Sequence, residues 1–173
     1  MRLFVAVNFT DETRDKLVRL CDELRGISNR GRFTLPENLH ITLIFIGECN
    51  AAQADIMKSV MNMIVYAPFE LEIDRLGCFK RNGGDIWWAG IRENKMLNEL
   101  QKSLTSELRN HRIAFDDREF NPHITLGREV SIKSQPRQIE PFTEKVTKIE
   151  LMKSERIAGK LTYTPIHEVL MNF

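Results

Sequence analysis

The sequence predicts an α+β fold, bilobal and duplicated, and three observations predict it. The tetrapeptide His-Ile-Thr-Leu occurs twice, at His40–Leu43 and His123–Leu126, in a chain with only four histidines. Each copy ends the same succession of strand, helix of about four turns, polar loop and HITL strand. The spacing agrees as well: 37 residues separate Leu3 from His40, and 37 separate Ile86 from His123, each running from an early strand position to a motif histidine. At 173 residues the chain is long enough to bury a substantial core, and no stretch reads as an interdomain linker. One two-lobed domain, residues 1–173, is expected, with its equivalent strands facing a shared cleft.

The elements follow in chain order. Arg2 to Phe9, RLFVAVNF, is an apolar run suited to a buried strand. Thr10 before Asp11 and Glu12 marks a helix start with acids where the helix dipole favours them. Leu17, Leu20, Cys21 and Leu24 recur at helical spacing, and Gly26 stops that helix. SNRGRFTLPEN reads as a basic loop into the first HITL strand, Leu39 to Ile46. Asn50 to about Tyr66 reads as a second helix with Ile56, Val60, Met63 and Ile64 on one face, while Met57 and Met61 fill core gaps. FELEIDRLGCF alternates apolar and charged residues as a half-buried strand does, and RNGGD turns the chain into IWWAGI, making a hairpin. Glu93 to about Asn110 is a third helix with Leu97, Leu100, Leu104 and Leu108 in register. The polar loop DDREFN delivers the second HITL strand, and KVTKIELMKS and YTPIHEVLMNF close the chain as two strands.

Composition narrows the function. Lys and Arg total 25 against 24 Asp and Glu, a net charge of +1 that argues against general coating of nucleic acid. A local basic groove remains open, because the field in a cleft depends on nearby charges. Cys21, Cys49 and Cys78 lack zinc spacing and read as thiols in a reducing compartment. The N-terminus turns acidic too soon for a signal peptide, and no run approaches the roughly 20 apolar residues that span a bilayer. A cytoplasmic monomer with no membrane contact is expected.

The repeated strand carries the chemistry. Strict alternation displays His40 with Thr42 on one face and sends Leu39, Ile41, Leu43 and Phe45 to the other. His123 and Thr125 repeat the pattern over Ile124 and Leu126, with Pro122 where no ladder donor is needed. Polar groups buried there without partners would cost about 1–3 kcal/mol each, so the pairs are placed to meet something. Imidazoles have an ordinary pKa of about 6.5, which lets one ring give a proton while the other takes one. The Thr hydroxyls, on the same face, can hold an anionic oxygen between the rings. This geometry suits in-line displacement at phosphorus and calls for no metal and no cofactor. The motif histidines also share an asparagine two positions earlier, Asn38 and Asn121. His111 and His167 lack these neighbours and read as structural.

At this point the chain resembles the two-histidine phosphoesterase superfamily and, within it, the RNA 2′,3′-cyclic phosphodiesterases first described as 2′–5′ RNA ligases. RLFVAV, LPENLHITLIFIGE, FNPHITLGR and LMKSERIAGKLTYTPI stand in the family's order. The resemblance implies two antiparallel sheets flanking a V-shaped central cleft with helices outside. It implies metal-independent opening of an RNA 2′,3′-cyclic phosphate end to a 2′-phosphate, with reverse 2′–5′ ligation as a companion reaction. His40 would protonate the departing 3′ oxygen and His123 activate water, or the two roles would be reversed. An arginine at the position of Arg128 contacts phosphate or RNA in the family. Strict alternation sends Arg128 to the opposite face, unless Gly127 bends the strand. The chain departs from the family at CFKRN, where Lys80 stands in place of a common proline.

Other residues are weighed individually. Arg30, Arg32, Lys80 and Arg81 are either basic rims for an RNA backbone or solvated charge. Phe33 and Phe120 are candidates to stack a terminal base, Trp87 and Trp88 read as core, and Tyr163 is unassigned. DDRE reads as a solvated loop and Gly83-Gly84 as a turn. Two other functions remain open: an RNA-end-binding module that only grips phosphate, and a phosphodiesterase for 2′–5′ oligonucleotides or small cyclic nucleotides.

Overall fold

The structure, a computed structural model, describes residues 1–172. In chain order the elements are β1 (Arg2–Val7), α1 (Asp11–Gly26), β2 (Ser28–Phe33), a short 3₁₀ turn (Pro36–Asn38), β3 (Ile41–Glu48), α2 (Ala51–Asn62), β4 (Phe69–Phe79), β5 (Asp85–Ile91), α3 (Lys95–Asn110), β6 (His123–Ile132), β7 (Phe142–Val146), β8 (Lys148–Ile157) and β9 (Lys160–Leu170). The strands form two antiparallel sheets, one ordered β3-β1-β8-β9 and the other β2-β6-β5-β4-β7. The duplication is visible in the pairing, because β6-β5-β4-β7 repeats the layout of β3-β1-β8-β9.

Helix ends follow local chemistry. The Thr10 side chain accepts from the Thr13 amide at the start of α1, and Asn94 does the same for Leu97 in α3. Asn50 and Gln53 satisfy each other's backbone amides in a capping box at α2. The α3 stripe of Leu97, Leu100, Leu104 and Leu108 is fully buried, as its periodicity predicts. On α2 the buried face is Ala54, Met57, Val60 and Met61, an i, i+3, i+6, i+7 set. Ile56 and Met63 lie exposed, and the helix ends at Asn62, short of Tyr66. Met57 and Met61 share the buried face with Val60 and Ile64, while Ile56 and Met63, also predicted for it, turn outward.

Two segments trade sheets. SNRGRF is not a loop but the edge strand β2, paired with β6 in the second sheet although it belongs to the first half of the sequence. KVTKIELMKS is not one strand: it breaks at Thr147, leaving β7 beside β4 and β8 beside β1. The two halves are thereby laced together, and one continuous apolar cluster runs from Leu3 to Leu151. A second, smaller cluster of Phe4, Ala6 and Met152, flanked by Phe45 and Tyr163, lies on the other face of the first sheet.

Candidate active site

The HITL strands carry matched irregularities. Ala6 pairs with Thr42 while Val5 pairs with Ile44, so β3 holds one extra residue there. Trp88 pairs with Thr125 while Trp87 pairs with Gly127, so β6 bulges at the same motif position. Each strand slips again just beyond, between the Phe4–Phe45 and Leu3–Gly47 pairs in one, and between the Trp87–Gly127 and Asp85–Val130 pairs in the other. This register equates Leu3 with Asp85, so the equal 37-residue spacing to Ile86 is one residue out of structural correspondence.

The bulges redirect two side chains. Phe45 and Arg128 each stand five residues after their histidine, and strict alternation sends both away from it. The extra residue at Leu43 or Leu126 reverses the alternation, and both side chains line the cleft instead. The second slip returns Val130 to the core, with Glu129 in the left-handed region at φ 54°. Gly127 contributes close approach, since a Cβ there would meet Val130 Cγ2 at 2.9 Å and Phe33 Cδ1 at 3.0 Å.

The resulting cleft has a volume of about 520 Å³. The first sheet supplies Arg2, Phe4, Thr42, Phe45, Ser154, Arg156, Leu161 and Tyr163 to its lining, and His40 stands immediately before β3. The second supplies Arg32, Phe33, His123, Thr125 and Arg128, and Thr34, Leu35 and Asn38 come from the connection between β2 and β3. All five residues expected from the motifs, His40, Thr42, His123, Thr125 and Arg128, thus meet in one cavity.

Both imidazoles are held in the same way. His40 Nδ1 lies 2.7 Å from the Asn38 carbonyl oxygen, and His123 Nδ1 lies 2.7 Å from that of Asn121. A carbonyl only accepts, so each Nδ1 carries hydrogen and each Nε2 is left for proton exchange. The shared asparagines therefore act through their backbone. The Asn38 side chain instead donates to the Leu161 carbonyl at 3.0 Å, tying the motif to β9.

The environments of the rings differ. His40 Nε2 accepts from the Thr42 hydroxyl at 2.9 Å, and the ring packs against Phe4 at 5.0 Å and edge-on to Tyr163 at 5.2 Å. His123 packs edge-on to Phe79 at 5.2 Å and against Trp88 at 6.3 Å, so Trp88 is a neighbour of the site and not only core. Burial pushes both imidazole pKa values below the ordinary 6.5, against the opposing pull of the carbonyl acceptors. Positive charge on Arg128 lowers both further, and His123 lowers His40. The Tyr163 phenol is pushed up by burial and stays protonated.

Comparison with known proteins fixes the lineage. A sequence model of the 2′-5′ RNA ligase superfamily matches residues 11–157. The chain belongs to this superfamily. The RNA 2′,3′-cyclic phosphodiesterase of Archaeoglobus fulgidus is 34% identical over 130 residues, covering 74% of this chain and 72% of the relative. That of Escherichia coli K12 is 29% identical over 170 residues, covering 95% of this chain and 93% of the relative. Among solved superfamily structures, E. coli LigT complexed with 3′-AMP is similar with a TM-score of 0.86 and 27% identity, over 99% of this chain and 98% of that one.

The remaining candidates separate clearly. Arg32 reaches the cleft but is held by Glu129 at 2.9 and 3.1 Å. Arg30 donates to the Gly83 carbonyl at 2.7 Å, Lys80 to Asp85 at 2.9 Å, and Arg81 to the Lys80 carbonyl at 2.8 Å. Phe33 lines the cleft, whereas Phe120 packs against the core and Trp87 is buried. Asp116 of the DDRE stretch is paired with Arg118. His111 bonds its own helix at Glu107, and His167 bonds Asn62. Arg2, Phe4, Ser154, Arg156 and Tyr163 also line the cleft, and no motif in the sequence marks them. Alternation along β1 and β8 puts Arg2 with Phe4, and Ser154 with Arg156, on one face each. Among the described residues no helix is long and apolar enough to cross a membrane.

Proposed function

We propose that this protein hydrolyses RNA 2′,3′-cyclic phosphate ends to 2′-phosphates by paired-histidine acid-base catalysis. The observation that carries the reading is that both Nδ1 atoms are committed to backbone carbonyls, leaving two Nε2 atoms on opposite walls of one cleft. The names of the relatives in Archaeoglobus fulgidus and E. coli supply the substrate class.

One imidazole, neutral at Nε2, takes a proton from water as the water oxygen bonds to phosphorus. The P–O3′ bond breaks, and the other imidazole delivers its Nε2 proton to the departing 3′ oxygen. The products are a 2′-phosphate monoester and a free 3′-hydroxyl. In the assignment implied by the resemblance, His123 is the base and His40 the acid. The Thr42 and Thr125 hydroxyls donate to the non-bridging oxygens, and the Arg128 guanidinium balances the charge that grows on them. Both proton transfers are supplied by the protein, so the step calls for no metal. With a 5′-hydroxyl end in place of water as the nucleophile, the same displacement would break the P–O3′ bond and join the two ends through a 2′–5′ linkage.

The deciding experiment is incubation with an oligoribonucleotide bearing a 2′,3′-cyclic phosphate in the presence of a chelator, followed by identification of the terminal phosphate. A 2′-phosphate is the expected product. An intact cyclic end would convert the reading to an end-binding module, and dependence on divalent metal would overturn the mechanism.

A further inference from the structure

The charge of the cleft exceeds what one cyclic phosphate, with its single negative charge, requires. Four arginines line it, Arg2, Arg32, Arg128 and Arg156, and no carboxylate does among the described residues. Arg32 is balanced by Glu129. Acids near the other three are engaged elsewhere. Glu48, opposite Arg2 on β3, pairs with the N-terminal ammonium at 3.5 Å; Glu155 pairs with Lys153 at 3.2 Å; and Glu37 pairs with Lys160 at 2.6 Å. Arg2, Arg128 and Arg156 therefore have no ion-pair partner among the described residues, and a guanidinium stays charged throughout the working pH range. Arg128 and the histidines account for the reacting phosphate. Arg2 and Arg156 are left over.

Their positions form a track. Phe4, which touches the His40 ring, pairs with Met152, and Arg2 pairs with Ser154. At about 3.3 Å per strand residue, Arg2 lies about 7 Å and Arg156 about 13 Å beyond the Phe4–Met152 pair. These steps match the spacing of successive phosphates along an extended single strand. The Arg2 guanidinium sits 5.1 Å above the Phe45 ring, and one Arg156 nitrogen donates to the Gly159 carbonyl at 2.9 Å, which orients both heads. The opposite rim offers no such track, because Arg30, Lys80 and Arg81 do not line the cleft and Lys80 is paired with Asp85 at 2.9 Å.

Resting on the catalytic reading above, we infer that Arg2 and Arg156 form a second phosphate-binding subsite, over which the RNA upstream of the reacting end leaves the cleft across β1 and β8. The site then selects an oligonucleotide end over a mononucleoside 2′,3′-cyclic phosphate.

The test compares kcat/KM for adenosine 2′,3′-cyclic phosphate with that for a trinucleotide bearing the same end, in the wild type, Arg2→Gln, Arg156→Gln and Arg30→Gln. The wild type is expected to prefer the trinucleotide. Each cleft variant is expected to reduce that preference about tenfold, mostly through KM, as loss of a hydrogen bond to a charged group implies. Arg30→Gln keeps it. Binding of a 2′-phosphate-ended trinucleotide is measured in parallel against salt, and the double variant should flatten the slope of log K on log salt by about 1.4. Equal losses on both substrates, or an unchanged preference and salt slope, would overturn the subsite. A wild type that binds the trinucleotide through Arg156 but hydrolyses neither substrate would instead sink the catalytic reading and leave the subsite standing.

Discussion

The two lobes differ least at the backbone of the motif and most at the side chains that face the cleft. Around His40 and His123 the tautomer is set by the same 2.7 Å bond from Nδ1 to the carbonyl two residues earlier, and both strands bulge at the same leucine. The position five residues after each histidine is then Phe45 in one lobe and Arg128 in the other. What a duplication must keep in order to present Nε2 is backbone geometry, which many sequences can satisfy. What it is free to change is the contact made with the ligand, and here one wall is aromatic under Arg2 while the other bears a bare guanidinium.

The histidines test the shared part of this comparison. His40→Ala and His123→Ala should each lower kcat by about 10²- to 10⁴-fold, the usual contribution of a positioned acid or base, in hydrolysis of a cyclic-phosphate-ended oligonucleotide. Wild-type turnover in either variant would break the equivalence of the lobes. Arg128 and Phe45 test the part that diverged. Arg128→Gln should lower kcat/KM about 10- to 100-fold through the lost charge-assisted contact. Phe45→Leu should leave the reacting phosphate held and cost much less, and a loss as large as that of Arg128→Gln would mean that both walls grip phosphate.

These differences explain which parts of the molecule were legible in its sequence. The helices, the hairpin of β4 and β5 and the HITL strands declare themselves by apolar period, capping residues and turn glycines. β2 does not, because Ser28, Asn29, Arg30, Gly31 and Arg32 present no apolar alternation; it is an edge strand held by backbone bonds to β6. Nothing local marks Thr147 as the point where the chain leaves one sheet for the other, since both sides of it are good strand sequence. His40, Thr42, His123 and Thr125 were found because a repeat needs no structure to be seen. Strict alternation alone turns Arg128 and Phe45 away from the cleft, because it assumes an unbroken pleat and a bulge is fixed by pairing with a distant strand; for Arg128 the sequence also offers a bend at Gly127 that would turn it back. Arg2 and Arg156 obey alternation, but their value depends on knowing that this face of the first sheet fronts a cavity.

The threonines give a smaller contrast. Thr42 bonds His40 Nε2 at 2.9 Å, and no matching bond joins Thr125 to His123 among the described residues. Thr42→Val should therefore cost about 2- to 12-fold in kcat, the value of one net hydrogen bond, and should move the titration of His40 observed by NMR. Thr125→Val should leave the His123 titration in place and act on KM alone. Equal titration shifts in both variants would show that the two hydroxyls do the same work.

The smallest effect is the dependence on pH, and its sign follows from burial. Both rings lose solvation that favours the imidazolium, so both folded pKa values lie below 6.5, with His40, the more enclosed, facing His123 and Arg128 as well. The kcat/KM profile of the free enzyme needs one ring neutral and one protonated, so its two limbs are both expected on the acid side of 6.5. The same depression means that the folded state favours neutral rings, and their contribution to stability is complete above pH 6.5 and declines as pH falls towards the folded values. Denaturant melts across that window should show wild-type stability falling with acidification, and His40→Asn should remove more of the slope than His123→Asn. Equal slopes in the two variants would mean that the enclosure of His40 has no energetic counterpart, and the asymmetry of the lobes would then be confined to Phe45 and Arg128.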